Sequence, residues 1–210
     1  MTKPELPYVT ILVATRNEDK YISTCLDSLM DSDYPSDRFE VFVLDGKSED
    51  KTCSLVEDYV TRFPNIRLFT NENLTLPYAR NLGISLSLGD FIVNCDAHSL
   101  YPREYISKLI HYSIVLNADN VGGIWETVPA NNKLISIAIA KIMSSIFGVG
   151  NAEYRIYKEG GDEYLKVDTV PYGCFRKSLF EKVGYYDVEL TRNQDNELNE
   201  RILKANGSIF

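Results

Sequence analysis

Asp96 and His98 close the apolar run of residues 91–95, Phe-Ile-Val-Asn-Cys. Such a run reads as a buried strand, and its end places a carboxylate and an imidazole together at a rim. Both are ligand types that hold a divalent cation. A strand ending in aspartate is common, so the weight of the pair depends on what the other strands deliver beside it.

Several do. Residues 39–44 form a second apolar run that ends at Asp45, and residues 8–14 a first run that opens into Thr15-Arg16-Asn17-Glu18. Arg80 stands in the first turn of a helix opened by Pro77, after a short strand at 66–69. Near the end, Gln194-Asp195-Asn196-Glu197 leads into a helix with Leu198, Ile202 and Ala205 inward.

These positions need a scaffold that brings strand ends together. Apolar spacing predicts helices with inward faces at Tyr21, Ile22, Cys25, Leu26 and Leu29, then at Leu55, Val56, Tyr59 and Val60, with Ser48-Glu49-Asp50 capping the second. A helix behind Pro102 turns Tyr105, Ile106, Leu109 and Ile110 inward. Strand and helix thus alternate with short connections, which predicts an α/β fold: a parallel sheet with helices on both faces. Ligands of such sheets bind beyond the carboxyl ends of the strands. Thr15, Asn17, Glu18, Asp45, Arg80, Asp96 and His98 all fall on that rim.

Beyond residue 120 the regularity fades. The sequence predicts a fifth strand at 120–125, a helix at 134–147 that is apolar almost all round, a turn-rich stretch at 148–161, a strand at 167–170, a turn at Pro171-Tyr172-Gly173 and a short helix at 176–183. The last four residues read as the start of a strand cut short, so a longer protein is expected. One domain over residues 1–210 is expected, with its more regular part reaching to about residue 100.

The formal charge of −8 argues against a protein that holds nucleic acid by bulk electrostatics. Four scattered cysteines without a CxxC pair read as buried thiols of a reducing compartment. The opening residues do not read as a secretory signal, and the apolar stretch at 134–149 is too short and too polar for a membrane span. No GxGxxG or GxxxxGK[ST] motif is present, which removes the dinucleotide and P-loop readings.

In order and spacing, Thr15-Arg16-Asn17-Glu18, Asp45-Gly46-Lys47-Ser48-Glu49-Asp50, Ala79-Arg80-Asn81-Leu82-Gly83, Gly89-Asp90, Asp96-Ala97-His98 and Gln194-Asp195-Asn196-Glu197 resemble the motifs of the family 2 glycosyltransferases. Asp-Ala-His in place of Asp-x-Asp, Asp-Gly-x-Ser, the pair Gly122-Gly123 and Val170-Pro171-Tyr172-Gly173 resemble the succinoglycan branch, which builds exopolysaccharides. The resemblance implies a GT-A fold, a Rossmann-like, mostly parallel sheet. It also implies a nucleotide-sugar donor, a UDP-sugar first among them, and a saccharide or lipid-linked acceptor.

What it implies for single residues can be set beside plainer readings. Asp45 would receive base or ribose hydrogen bonds, or else cap the turn before Ser48. Thr15, Asn17 and Glu18 would line the same pocket, or cap the following helix. Arg80 would reach the nucleotide or a neighbouring acid, or form a surface salt bridge. Asp96 would bind Mg²⁺ or Mn²⁺ on the donor diphosphate. His98 would ligate a softer ion, contact the diphosphate itself, or face solvent. Asp195 would be the base of an inverting transfer, since Gln194 replaces the family's first acid, and Glu197 would support it or pair with Arg201. Cytoplasm is the expected location, with the inner membrane face and a missing C-terminal segment as the route to a membrane. The contrasting expectation is a catalytically silent nucleotide- or carbohydrate-binding module of the same fold.

Overall fold

The computed structural model describes residues 5–129, 131–145 and 164–210. Its first half alternates as the apolar pattern requires: β1 (Val9–Thr15), α1 (Ile22–Met30), β2 (Phe39–Asp45), α2 (Thr52–Arg62), β3 (Ile66–Thr70), α3 (Leu76–Leu86), β4 (Phe91–Asp96) and α4 (Tyr105–Val115). Each of β1, β2 and β4 is apolar along nearly its whole length because both of its faces are covered. The second half adds β5 (Asn120–Val121), α5 (Leu134–Met143), β6 (Cys174–Arg176), α6 (Leu179–Val183) and α7 (Gln194–Lys204).

The sheet has six strands in the order β3-β2-β1-β4-β6-β5. β1 to β4 are parallel, and β6 runs antiparallel between β4 and β5. The order reverses between β1 and β4, so a crevice opens where their carboxyl ends part. Register brings the candidates level there, with Thr15 opposite Asp45 and Ala14 opposite Asp96.

Two cores sandwich this sheet. One joins α1, α2 and α4 to Val9, Ile11 and Val13 of β1 and Val41 and Val43 of β2. The other joins α3, α6 and α7 to Leu12, Phe42, Leu44, Ile92 and Phe175. Gly83 explains part of the second: a Cβ there would meet Leu12 Cδ2 at 2.6 Å and Leu44 Cδ1 at 2.9 Å, so only glycine lets α3 lie this close to the sheet.

Several expectations need correction. Tyr21 caps α1 from outside and is half exposed, and Val60 also faces outward. Residues 122–125 leave the sheet after Val121, with the Gly122 amide bonded to the Phe210 carbonyl (2.9 Å). No strand forms at 167–170; the Val167 amide bonds the Ile209 carbonyl (3.0 Å), and Val170 packs where a Cβ on Gly122 would be 2.5 Å away. The strand falls instead at Cys174–Arg176, where β4 and β5 supply partners on both sides. That shift also moves Arg176 out of the helix expected from it. Helix α5 buries Ala140 but leaves Leu134, Ile135, Ile139 and Ile142 largely exposed. The remainder of that predicted helix and the turn-rich stretch at 148–161 lie outside the described residues.

Candidate active site

The β1–α1 loop is fastened to the β2–α2 loop by its backbone. The amides of Asn17, Glu18 and Asp19 donate to Ser48 Oγ (2.8 Å), Thr52 Oγ1 (2.8 Å) and Asp50 Oδ2 (3.1 Å). Asn17 adopts a left-handed conformation (φ 57°), and its Oδ1 accepts the Glu49 amide at 2.8 Å. Asn17 therefore acts first as a clamp between loops. Asp45, buried at the end of β2, accepts the Ser48 amide (2.9 Å) and hydroxyl (2.5 Å). The turn-capping reading of Asp45 is thus physically realised. A carboxylate has further lone pairs, so this does not exhaust it. Thr15 Oγ1, next to Asp45, is buried and finds no hydrogen-bond partner among the described residues. A buried orphan hydroxyl costs stability.

Asp96 sits one strand away with its side chain 15% exposed. His98 Nδ1 lies 2.9 Å from its Oδ1 and 3.4 Å from Glu18 Oε1, and the Tyr172 hydroxyl donates to its Oδ2 at 2.6 Å. His98 itself is half exposed, with the edge of Tyr21 beside it. These groups point at one another: among the described residues no group of three His, Cys, Asp or Glu side chains is arranged to hold a metal ion by itself. Cys25 lies beneath and donates to the Asp96 carbonyl (3.4 Å). Burial, with Asp96 and Glu18 adding to it, pushes its thiol up to about 12, so it remains a neutral thiol rather than a nucleophile or ligand.

Arg80 is the largest fully buried side chain, 2% exposed, and so cannot form the surface salt bridge considered from sequence. Its Nη1 donates to Asp195 Oδ1 at 2.5 Å, and its Nη2 reaches Oδ2 at 3.4 Å. The guanidinium carbon stands 4.9 Å from the ring centre of Tyr186 and 5.5 Å from that of Tyr172. Asn94, in the middle of β4, donates to the Tyr186 hydroxyl (2.8 Å), and that hydroxyl approaches Asp195 Oδ1 (3.5 Å). Desolvation raises both phenols above the usual tyrosine range; for Tyr172 the charge of Asp96 adds to this. Both therefore act as neutral O–H donors. Glu197 is engaged by Arg201 (2.6 Å), the plainer of its two readings.

Sequence reasoning missed Tyr172 and Tyr186. Tyr172 bridges the two candidate centres, its hydroxyl on Asp96 and its ring over Arg80, with Trp125 stacked 5.2 Å from it. It has φ 59°, and the Gly173 amide bonds the Pro171 carbonyl across it (2.8 Å), the rare left-handed form of the γ-turn. Such strain on a bulky residue concentrates at functional sites. Gly173 follows because a Cβ there would lie 2.1 Å from Asn120 Oδ1. The Pro-Tyr-Gly turn was legible, but where it would land was not.

The model of glycosyl transferase family 2 matches residues 10–184. The chain belongs to this family. A dolichyl N-acetyl-α-D-glucosaminyl phosphate 3-β-D-2,3-diacetamido-2,3-dideoxy-β-D-glucuronosyltransferase of Methanococcus voltae is 30% identical, over 97% of this chain and 64% of its own length. The succinoglycan biosynthesis protein ExoA of Rhizobium meliloti is 27% identical over 95% of this chain and 59% of its own. The resemblance to the succinoglycan branch is thereby matched by a relative. The chain spans less than two thirds of either relative. Among solved structures, a mannosyltransferase of Pyrobaculum calidifontis in complex with GDP-Man and Mn²⁺ superposes with a TM-score of 0.75 at 20% identity, over 99% of this chain and 55% of that one. This family 2 glycosyltransferase chain thus has the GT-A fold, an α/β, mostly parallel sheet with helices on both faces.

Proposed function

We propose that the chain is the transferase domain of an inverting, cation-dependent enzyme. It moves a sugar from a nucleoside diphosphate sugar, with UDP-sugars first, to a saccharide or lipid-linked acceptor in polysaccharide synthesis. One observation carries the reading: Tyr172 ties Asp96 to the Arg80–Asp195 pair, so a carboxylate suited to the donor and one suited to the acceptor share a single crevice. Residues to about 100 would bind the donor, and those after it the acceptor.

On the donor side, Asp45 and the orphan hydroxyl of Thr15 would receive the nucleoside, while Asn17 and Glu18 hold the loop that frames it. The donor set fits a divalent cation: one carboxylate and one imidazole leave the remaining positions to diphosphate oxygens and water. Asp96 and His98 would hold it, with the imidazole favouring Mn²⁺ over Mg²⁺. When bound, the cation supplies positive charge against the departing diphosphate.

Arg80 serves as a positioning residue. It pairs with Asp195 and fixes Oδ1, leaving Oδ2 as the more loosely held oxygen. The acceptor hydroxyl would give its proton to Asp195 as its oxygen bonds to the anomeric carbon. The bond to the diphosphate breaks on the opposite face, with its electron pair leaving on the diphosphate. Inversion follows from this single displacement.

The second reading is a silent binding module. It draws on the fact that Asp96 and Asp195 are both satisfied by neighbours. Donor turnover separates the two. No helix among the described residues is long and apolar enough to cross a membrane. The cytoplasm is the proposed location, with lipid-linked acceptors met at the inner membrane face; the dolichyl-linked acceptor in the name of the Methanococcus voltae relative supports this.

A melting screen tests the donor class. A matching UDP- or GDP-sugar at about 100 times its Kd with Mn²⁺ should stabilise by about 2.7 kcal/mol, a rise of roughly 5–10 °C. A flat screen across both nucleotides would oppose the reading.

A further inference from the structure

Beside Asp195 lies a cavity of about 190 Å³, walled by Thr169, Pro171, Asn193, Gln194, Asp195 and Asn196. We propose that it is the acceptor subsite, shaped for one uncharged sugar ring, and that Thr169 and Asn196 read the hydroxyl groups of that ring. The inference rests on the transferase reading above and adds where the acceptor sits and what recognises it.

Size and chemistry narrow the occupant. The volume falls below the roughly 300–1,000 Å³ of sites that enclose a whole drug-sized ligand, so a single ring fits and a nucleotide sugar does not. Among the described residues no lysine, arginine or histidine lines it, so a phosphate group would meet the Asp195 carboxylate and neutral groups. Amides and a hydroxyl, by contrast, both donate and accept, which is what a polyol requires. Pro171 offers the apolar patch that a ring's C–H face can cover.

The wall is also built from within. The Asn120 Nδ2 donates to Asn199 Oδ1 (2.7 Å), and the Asn199 Nδ2 to Thr169 Oγ1 (2.9 Å) and to the Val170 carbonyl (3.0 Å). Thr169 Oγ1 then donates to Asn196 Oδ1 (2.9 Å). Asn120 and Asn199 are fully buried, so the chain of bonds runs from strand β5 to the cavity surface. Because each link fixes the next, Asn196 has its carbonyl oxygen committed and its amide nitrogen set as a donor. A buried polar chain is costly where an atom is left unpaired, as Asn120 Oδ1 is among the described residues, and a site positioned by such a chain is held more rigidly than its own loop would hold it. Asp195 itself lines the cavity, so a ring in it would stand beside the proposed base.

The probes are the methyl glycosides of glucose, galactose and N-acetylglucosamine, offered to the protein with its best nucleotide sugar. Saturation-transfer NMR reads binding, and initial rates read the split between KM and kcat. At least one glycoside should bind the wild type. Asn196→Ala and Thr169→Val should each raise its KM about tenfold, the loss expected for one recognition hydrogen bond. The Kd of the nucleotide sugar should stay within about twofold, since neither residue faces the donor in this arrangement. Asn196 is exposed, so its variant should fold even if Thr169→Val does not. Unchanged glycoside KM in Asn196→Ala, or no glycoside bound by the wild type while the nucleotide sugar still binds, would overturn the inference alone. Absence of nucleotide-sugar binding in the wild type would overturn the transferase reading itself.

Discussion

Asp195→Asn is expected to lower the rate of sugar transfer by about 10²–10⁴, the range a general base contributes, with a smaller loss of stability than truncation to alanine. The amide keeps an oxygen for Arg80 Nη1 but has no basic lone pair for the acceptor proton. Asp195→Ala should be equally inactive and also unstable. It strands Arg80, 2% exposed, with neither a counter-charge nor a hydrogen-bond acceptor at this position. Breaking a buried pair costs about 3–5 kcal/mol, and the low end applies because Asp195 is itself 21% exposed. For a chain of this size that is a fall in Tm of roughly 6–12 °C. Melting curves of the two variants beside their rates separate the chemical role of Asp195 from its structural one. An active Asp195→Asn enzyme would mean the base lies elsewhere.

The second large effect is expected at Asp96. Asp96→Asn should reduce kcat/KM on the order of a thousandfold, because in the proposed site several kcal/mol of charge stabilisation at the diphosphate would depend on this carboxylate. His98→Ala should act differently. It leaves Asp96 in place and removes the proposed nitrogen ligand, so the preference for Mn²⁺ over Mg²⁺ should narrow while activity with Mg²⁺ persists. A metal titration of each variant makes the comparison. An unchanged metal preference in His98→Ala would leave this imidazole as a half-exposed side chain bonded to Asp96 and no more.

The rim at the strand ends was legible in sequence because β1, β2 and β4 are mostly apolar runs that end on a polar residue. Asp45 and Asp96 stand at such ends, and sheet order alone brings them together. The proposed acceptor side was not legible, for two physical reasons. Strand β6 has three residues and no pattern of its own; pairing with β4 and β5 creates it. Once that return was missed, the landing of Tyr172 on Asp96 could not be anticipated. The second reason is Arg80. A cation in the first turn of a helix ordinarily stays in water, and only Asp195, 115 residues further on, together with two tyrosine rings, lets it be buried. Local sequence carries no trace of such a long-range partner. Pattern also overreached at 167–170, where a β-like run packs on Gly122 instead of joining the sheet.

The most direct test of the proposed site is a calorimetric titration of the best nucleotide sugar into wild type and Asp195→Asn, each with Mn²⁺ and again with a chelator. The donor should bind both proteins with similar affinity when Mn²⁺ is present, and binding should fall steeply with the chelator. No nucleotide-sugar binding with Mn²⁺ or Mg²⁺, or equal binding with and without the ion, would contradict a cation-assisted donor site at Asp96.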